Sequence, residues 1–446
     1  MVVFVFSFLI FNHTFQSLKY MNFTDLNIQK EIIPLFDTFL NQRSRQALDD
    51  IFANMPATLE DVLFRQQIIS AIISNKKRIR SIASVKSDIE EVYRFSKSIG
   101  ETQQELFSNN INVVTFRLSF DRQSRARLAS GAIQLGHVLK TLDERYFAML
   151  KVDLFPQSYG SEMLDALHFL NHLRSFYNAE GFTTGNLPHR KYMLFLKQIA
   201  VHLHEMELFW KFFFTFDAYV SIATTMEAKG FCMPEFQEWG IAIDNVFHPL
   251  LEKPVKNSIA TRAGIVLLTG ANMSGKSTFL KAVSMCVYLA HVGIGVPASK
   301  CVMPYFSDIV VNIYSKDNLQ SGLSHFMSEV TTLKSAVLSA EKGRNVFAVM
   351  DELFAGTNTE DAEALLQLTI EGLQKYSKGL FIISTHYSQL KEFVVNSPRL
   401  SASYYLDASL ENGFPRFTYQ LKEGWSNHKF GMLLFEKEGL KKLLEV

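Results

Sequence analysis

Residues 270–278 read Gly-Ala-Asn-Met-Ser-Gly-Lys-Ser-Thr, a complete phosphate-binding loop of the form G-x-x-x-x-G-K-[ST]. The loop follows the apolar run Ile265–Leu268 and precedes a helical pattern over Phe279–Val292, so its flanks predict a strand and a helix. Gly270 and Gly275 let the chain curl until consecutive backbone N–H groups point at phosphate oxygens. The N-terminus of the following helix adds its positive dipole at the same place. The sequence therefore predicts a nucleotide-binding α/β domain.

The phosphate loop, residues 270–278, contains candidates for binding a nucleotide and its metal ion. Lys276 is placed to reach the outer phosphates, and the hydroxyl of Ser277 is a ligand for Mg²⁺. The remaining loop residues that we expect around the phosphates are Gly270, Asn272, Met273, Ser274, Gly275 and Thr278. The sequence contains no Asn-Lys-x-Asp element of the kind that reads guanine in GTPases. The expected cofactors are therefore ATP and Mg²⁺.

The composition indicates a large chain of balanced charge. It has 446 residues, 48% of them hydrophobic, so it can bury a large core and divide into two or more domains. The 45 basic and 44 acidic residues nearly cancel, which neither demands nor excludes a nucleic acid partner. Cys232, Cys286 and Cys301 lack metal-ligand spacing and indicate buried free thiols in a reducing cytosol. The expected location is therefore cytoplasmic.

Two apolar stretches raise the question of a membrane. Met1–Phe11 is almost wholly apolar, but it lacks the basic start of a signal peptide and is too short to span a bilayer. We expect residues 1–20 to be an extension of the gene model, with a short membrane-associating anchor as the alternative. The aromatic run Leu208–Phe216 contains Lys211 and is followed by Asp217, which favours a helix buried on several faces. We therefore expect no membrane partner.

The pattern of apolar residues changes near residue 240. From Asp25 to about Gly230 apolar residues recur at spacings of three and four, which predicts a helical domain over residues 21–240. Longer helices are expected at about 123–150, 161–179 and 188–228. The stretch Asn109–Phe120 fits either a strand or an irregular connection.

From residue 241 to residue 446 short apolar runs alternate with helical patterns, which predicts a mainly parallel sheet. The predicted strands are Ile265–Thr269, Ile309–Ile313, Val346–Met350 and Leu380–Ser384, and the predicted helices are 276–292, 324–341 and 360–376. Asn412-Gly413, between Ser403–Leu406 and Arg416–Leu421, predicts a hairpin. The expected fold class is α plus α/β, with a helical domain followed by a phosphate-loop domain.

Two of the predicted strands end in candidate catalytic residues. The run Asn345–Met350 ends in Asp351 and Glu352. A carboxylate at this end of a strand holds Mg²⁺ in phosphate-loop ATPases, and an adjacent one can act as general base. We assign the metal to Asp351 and the base to Glu352; a solvated Asp-Glu pair is the alternative. His386, just after Leu380–Ser384, can hydrogen-bond the terminal phosphate and sense it, or it is a structural histidine.

A loop bearing serine and glycine leads into the predicted helix 325–340. The N-terminus of this helix offers a second anion site. The chain's own nucleotide already has Lys276 and Ser277 of the phosphate loop as partners. The anion site at Ser324 can therefore serve a nucleotide bound by a neighbouring subunit. Capping of the helix by the Ser324 side chain is the alternative.

Taken in order, these motifs resemble the MutS family of DNA mismatch-repair ATPases, which are relatives of the ABC-type ATPases. The similar stretches are His248-Pro249-Leu250, the phosphate loop with its Asn272-Met273, Ser324–Glu329, Asp351–Asp361, Ser384–Leu390 and Gly424–Gly431. The departures are His325 for threonine, Phe354-Ala355 for Gly-Arg, and Pro254-Val255 for an aromatic residue. The part before residue 245 is too short for the family's mismatch-recognition and connector domains, so we expect a short MutS-like protein without them.

The resemblance implies an ATP-dependent homodimer in which Ser324 reaches the terminal phosphate bound by the partner. It places His248 among the nucleotide-binding residues and relates residues 21–240 to the core and lever helices that couple the ATP state to a grip on DNA. The expected function is an ATP-hydrolysing, DNA-binding protein of the MutS type, in mismatch repair or a related DNA transaction. An ATP-gated switch acting on a protein partner is the alternative. A phosphotransferase acting on a small metabolite is disfavoured, because the Ser324 loop and His386 fit a switch ATPase better.

Two charged features are better explained without a ligand. The basic run Lys76–Arg80 can contact DNA phosphates, but neighbouring acidic residues favour a solvated charged face. His202 and His204 lie two residues apart, so on a helix they do not share a face and are expected to be structural.

Overall fold

The computed structural model describes residues 21–38, 40–101, 122–179, 181–182, 185, 187–313, 325–387, 389–391, 401–411, 414–426 and 435–444. They divide into two compact units. The helical unit comprises residues 32–230 and 289–295, and the sheet unit comprises the other described residues. These bounds differ from a helical domain over 21–240, because residues 21–31 and 231–240 contribute strands to the sheet unit.

The helical unit consists mainly of α-helices with recognisable ends. Within the described residues they are α1 (Gln42–Ala53), α2 (Leu59–Asn75), α3 (Ile89–Glu101), α4 (Arg122–Leu142), α5 (Gln157–Tyr177), α6 (His189–Val201) and α7 (Leu203–Lys229). Helix α2 begins with a capping box, in which Thr58 and Asp61 each bond the backbone N–H of the other. Helix α7 ends at Gly230, whose φ of 67° suits glycine.

Helix α7 packs against α1, α2 and α5 and supplies much of this unit's core. Its side chains Phe209, Trp210, Phe213 and Phe216 are each at most 1% exposed. Burying one such side chain contributes roughly 1.5–3 kcal/mol. Asp217 is buried beside them, where it accepts a hydrogen bond from the Tyr146 hydroxyl at 2.6 Å. The prediction of a buried aromatic helix is confirmed.

Two predicted helices are wrong in their bounds. The stretch 188–228 is two helices, because the chain leaves the helical region at His202, with φ −109° and ψ 36°. The His202 ring stacks on His172, with centroids 4.9 Å apart. The stretch 123–150 is also shorter than predicted, since α4 gives way to a π-helical turn at Asp143–Phe147. That turn places Asp143 where Arg174 and Tyr177 donate hydrogen bonds to it.

The sheet unit has eleven strands and four further α-helices within the described residues. They are β1 (Met21–Asn22), β2 (Glu235–Gln237), β3 (Ile241–Val246), β4 (Asn257–Thr261), β5 (Ile265–Thr269), α8 (Lys276–Val292, whose last residues fall in the helical unit), β6 (Lys300–Pro304), β7 (Asp308–Asn312), α9 (His325–Glu341), β8 (Val346–Met350), α10 (Thr359–Leu373), β9 (Leu380–Ser384), β10 (Ser401–Glu411), β11 (Phe414–Glu423) and α11 (Leu440–Leu444).

Seven of these strands form one mainly parallel sheet in the order β1-β7-β8-β9-β5-β10-β11. All neighbours are parallel except β10 and β11, which pair antiparallel as predicted; the predicted turn Asn412-Gly413 lies outside the described residues. Every residue of β5, β8 and β9 is buried, as parallel strands covered on both faces require. The four predicted strands are confirmed to within one residue.

A second sheet, in the order β2-β6-β3-β4, is not predicted by the sequence analysis. Its strands are short and mixed in polarity, so they give no clear alternating pattern. Cys286 and Cys301 are buried and Cys232 is partly exposed; all three are free thiols, as predicted. Among the described residues, none of the helices has the length and apolar character needed to cross a membrane.

Candidate nucleotide site

The strand order brings the candidate residues together at one edge of the large sheet, the edge formed by the carboxyl ends of its parallel strands. The phosphate loop follows β5, Asp351 and Glu352 follow β8, and His386 lies two residues beyond β9. Because β9 pairs with both β5 and β8 in parallel, the carboxyl ends of all three strands meet at this edge. Ligands of open α/β sheets bind at this kind of edge.

The phosphate loop has the tight backbone that its glycines predict. Gly270 and Gly275 have φ values of 148° and 97°. A Cβ atom on Gly270 would lie 2.8 Å from the Ser274 hydroxyl oxygen, so the curled loop leaves no room for a side chain there. That hydroxyl is buried and has no hydrogen-bond partner in the described structure. A bound phosphate oxygen would supply one, so the loop fits an anionic ligand.

Lys276 lies across the loop with its charge largely buried. Its Nζ donates hydrogen bonds to the carbonyl oxygens of Gly270 at 3.1 Å and Ala271 at 3.4 Å. Glu352 Oε1 lies 3.5 Å from the same nitrogen. A buried ammonium needs partners of this kind, and phosphate oxygens would serve equally well. Lys276 is therefore positioned between the phosphate loop and the candidate base.

The hydroxyl of Ser277 and the carboxylate of Asp351 lie together beside the loop. Ser277 Oγ donates to Asp351 Oδ2 at 2.5 Å. Oxygen donors of this kind are the ligands that Mg²⁺ prefers. The two residues therefore fit a magnesium ion that they would hold jointly, directly or through water.

Ser384, at the end of β9, is a site residue that the sequence analysis missed. Its hydroxyl donates to Asp351 Oδ1 and accepts the backbone N–H of Glu352 at 2.7 Å. Ser384 is fully buried, so both contacts are shielded from water. No local sequence pattern marks Ser384, because its role follows from the pairing of β9 with β8.

The other candidates differ in how far they are buried. His386 is exposed at the same edge, with its ring centroid 4.2 Å from that of Tyr387. His248 is half-buried, and burial and the positive charge of Lys281 in α8 lower its pKa. Asn272 and Met273 form the exposed tip of the phosphate loop. Ser324 lies outside the described residues, as do residues 1–20 and the stretch 109–120.

The comparison with known proteins agrees with this site. Residues 266–444 match the family model of MutS domain V. The DNA mismatch repair protein MutS of Bacillus subtilis (strain 168) is 32% identical over 251 residues, which cover 54% of this chain and 28% of that protein. The MutS proteins of Bacillus pumilus and Geobacillus kaustophilus are 31% and 29% identical over 258 and 289 residues, covering 55% and 59% of this chain and 30% and 32% of theirs.

The sheet order and the phosphate loop define the sheet unit as a phosphate-loop domain of the α/β class. Residues 266–444 of this chain are similar to MutS domain V. The aligned part of the chain spans less than one third of the length of each of these MutS relatives.

Proposed function

We propose that this chain is a Mg²⁺-dependent ATPase of the MutS type that acts on DNA. The observation that carries the proposal is two contacts at one sheet edge: Lys276 Nζ lies 3.5 Å from Glu352 Oε1, and Ser277 Oγ lies 2.5 Å from Asp351 Oδ2. The match to MutS domain V supports the same reading. The proposal includes an ABC-like dimer that closes when ATP binds. Closure of the dimer would control how the helical unit grips DNA.

Each residue of the site has a role that its position supports. Lys276 would exchange its carbonyl partners for the outer phosphates, and Ser277 and Asp351 would hold Mg²⁺. When bound, the metal ion neutralises charge that develops on the transferred phosphoryl group. The Glu352 carboxylate is 38% exposed, so it can receive and orient a water molecule for in-line attack. His386 would hydrogen-bond the terminal phosphate.

The DNA part of the proposal rests on the relatives, whose names describe them as DNA mismatch repair proteins. We assign DNA contact to the helical unit and the partner-site contact to Ser324. The basic run after α2 gives this assignment little support, because Lys76 pairs with Glu227.

The first experiment measures ATP turnover. Lys276→Ala should abolish it, because the phosphates lose their charged partner. Glu352→Ala should retain ATP binding but lose hydrolysis by at least about a hundredfold. Lys342→Ala, at an exposed position after α9, is the matched control and should be unchanged. Full turnover in either site variant would refute the assignment.

The second experiment measures binding to duplex, mismatched and branched DNA across a range of salt, with and without a non-hydrolysable ATP analogue. Affinity that falls with salt and changes with the nucleotide supports the proposal. If no DNA binds at low salt in either state, the DNA part of the proposal fails, while the ATPase part stands or falls by the turnover measurement.

A further inference from the structure

The loop that carries the candidate base has an unusual backbone. Glu352 and Phe354 have φ values of 50° and 69°, in the left-handed region that residues with a side chain avoid. Such conformations persist only where the surroundings hold them. At Phe354 the MutS pattern has glycine, which adopts this conformation freely. This chain therefore has a large side chain, that of Phe354, at a position whose backbone conformation favours glycine.

Contacts from β9 and α9 help to hold this loop, residues 351–357. Ser384 accepts the N–H of Glu352 at 2.7 Å, as described above. Glu329 Oε2, from helix α9, accepts the N–H of Phe354 at 3.2 Å. The Phe354 side chain is 3% exposed and belongs to the core cluster of the sheet unit, with its ring centroid 6.0 Å from that of Phe326 in α9. Both contacts from α9 converge on Phe354, two residues after the base.

Glu329 is an uncommon residue for such a place. It is 3% exposed, and burial raises its pKa to about 7, although the Phe354 N–H opposes the shift. Tyr387 is a titratable neighbour of Glu329, since the charge of Glu329, like those of Glu363 and Glu352, raises the pKa of the Tyr387 hydroxyl. A buried carboxyl group has a high desolvation cost, which a hydrogen bond from a backbone N–H partly offsets.

We infer that Glu329 and Phe354 are positioning residues that fix the loop after β8 and thereby aim the Glu352 carboxylate; this rests on the ATPase function proposed above. Glu329 acts through the backbone N–H of Phe354, and the Phe354 ring anchors the same residue in the core. The phenylalanine replaces the freedom of a glycine with a side chain that holds the loop in one conformation. Neither residue touches the nucleotide.

The first test needs no nucleotide. Deuterium uptake of the peptide covering residues 351–357 is measured in the nucleotide-free full chain by mass spectrometry. In Glu329→Leu, which lacks an acceptor, uptake should be at least about tenfold faster. Glu329→Gln keeps an acceptor oxygen and should stay within about twofold of the unmodified chain. The peptide covering β9 serves as the internal control.

The second test separates positioning from general damage. Glu329→Leu should lower kcat for ATP by at least about tenfold while KM changes by less than about threefold, and Glu329→Gln should restore most of the rate. Phe354→Ala should show the same loss of kcat and the same faster exchange. It provides an independent variant if Glu329→Leu does not fold.

The outcomes distinguish this inference from the proposed function. If the unmodified chain hydrolyses no ATP, the proposed function fails, and the exchange measurement alone decides whether Glu329 and Phe354 hold the loop. If the unmodified chain is active and both variants keep its kcat and its deuterium uptake, the inference is overturned. A rise in KM with unchanged kcat would also overturn it, because it would place the two residues in nucleotide binding.

Discussion

Ser384 connects the two members of the acidic pair, since its hydroxyl bonds both the Asp351 carboxylate and the Glu352 N–H. Removing the hydroxyl in Ser384→Ala leaves both groups without this partner in a buried place. We expect the Mg²⁺ concentration for half-maximal ATP turnover to rise by about tenfold or more, because groups that orient metal ligands typically contribute that much. A magnesium titration of the ATPase rate measures it.

The matched control is Ser335→Ala, which removes a hydroxyl that only bonds a helix carbonyl in α9. That variant should titrate with Mg²⁺ as the unmodified chain does. An unchanged magnesium dependence in Ser384→Ala would show that Asp351 needs no support from β9.

The buried carboxyl of Glu329 makes a second prediction, on stability and pH. Its pKa is about 7 in the fold and near 4.5 when exposed, so between these values the folded chain keeps a proton that the unfolded chain has lost. The contribution of Glu329 to stability therefore falls as pH rises from about 4.5 to about 7. Relative to the unmodified chain, Glu329→Gln should gain up to about 3 kcal/mol in unfolding free energy over this range.

Urea denaturation at several pH values measures this difference. Glu341→Gln, at an exposed position at the end of α9, is the control for replacing a glutamate of the same helix. A difference for Glu329→Gln that stays constant between about pH 5 and pH 8 would contradict a raised pKa.

The sequence predicts some of these residues and not others for a physical reason. Lys276, Ser277 and Asp351 stand in local patterns, a loop with fixed spacing and a carboxylate after an apolar run. Ser384 and Glu329 become site residues only because β9 lies beside β8 and α9 lies beside the loop. A serine at a strand end or a glutamate in a helix has no local mark, so tertiary pairing decides its role.

At the scale of elements, the same distinction separates the central strands of the large sheet from its edge strand β1. The strands β5, β8 and β9 are continuous apolar runs, because both of their faces are buried, and the sequence predicts them almost to the residue. Strand β1 is only Met21–Asn22, too short for any periodicity, and its pairing with β7 is nonlocal. Residues 21–31, which the apolar pattern assigns to a helical domain, therefore contribute the outermost strand of the large sheet.

This edge is held by Asp25, just after β1, whose carboxylate accepts the N–H of Ile313 at 2.7 Å. Burial raises the pKa of Asp25, while that N–H and Lys281 oppose the shift. In Asp25→Ala the buried N–H loses this acceptor, so we expect a loss of about 1–3 kcal/mol in unfolding free energy. Asp25→Asn keeps an acceptor oxygen and should lose less; equal losses in the two variants, measured by urea denaturation, would show that the hydrogen bond contributes nothing.

At the scale of the whole molecule, the proposal predicts an assembly that depends on the nucleotide. The terminal phosphate would lie between the phosphate loop of one subunit and Ser324 of the other. Because a triphosphate would then contact both subunits, its binding would favour the dimer. Hydrolysis removes that phosphate, and Glu352→Ala should therefore accumulate the dimer. We expect ATP and Mg²⁺ to lower the dimer dissociation constant of the Glu352→Ala variant by at least about tenfold, or about 1.4 kcal/mol.

Light scattering after size-exclusion chromatography measures the mass with and without ATP. Lys276→Ala, which should not retain the phosphates, is the control and should keep one mass in both conditions. Ser324→Ala added to Glu352→Ala should weaken the ATP-dependent dimer while nucleotide binding by each subunit is kept, since in the proposal Ser324 would contact only the partner's phosphate. If Glu352→Ala has the same mass with and without ATP over a wide range of protein concentration, the terminal phosphate does not control assembly, and the site serves hydrolysis within a single chain.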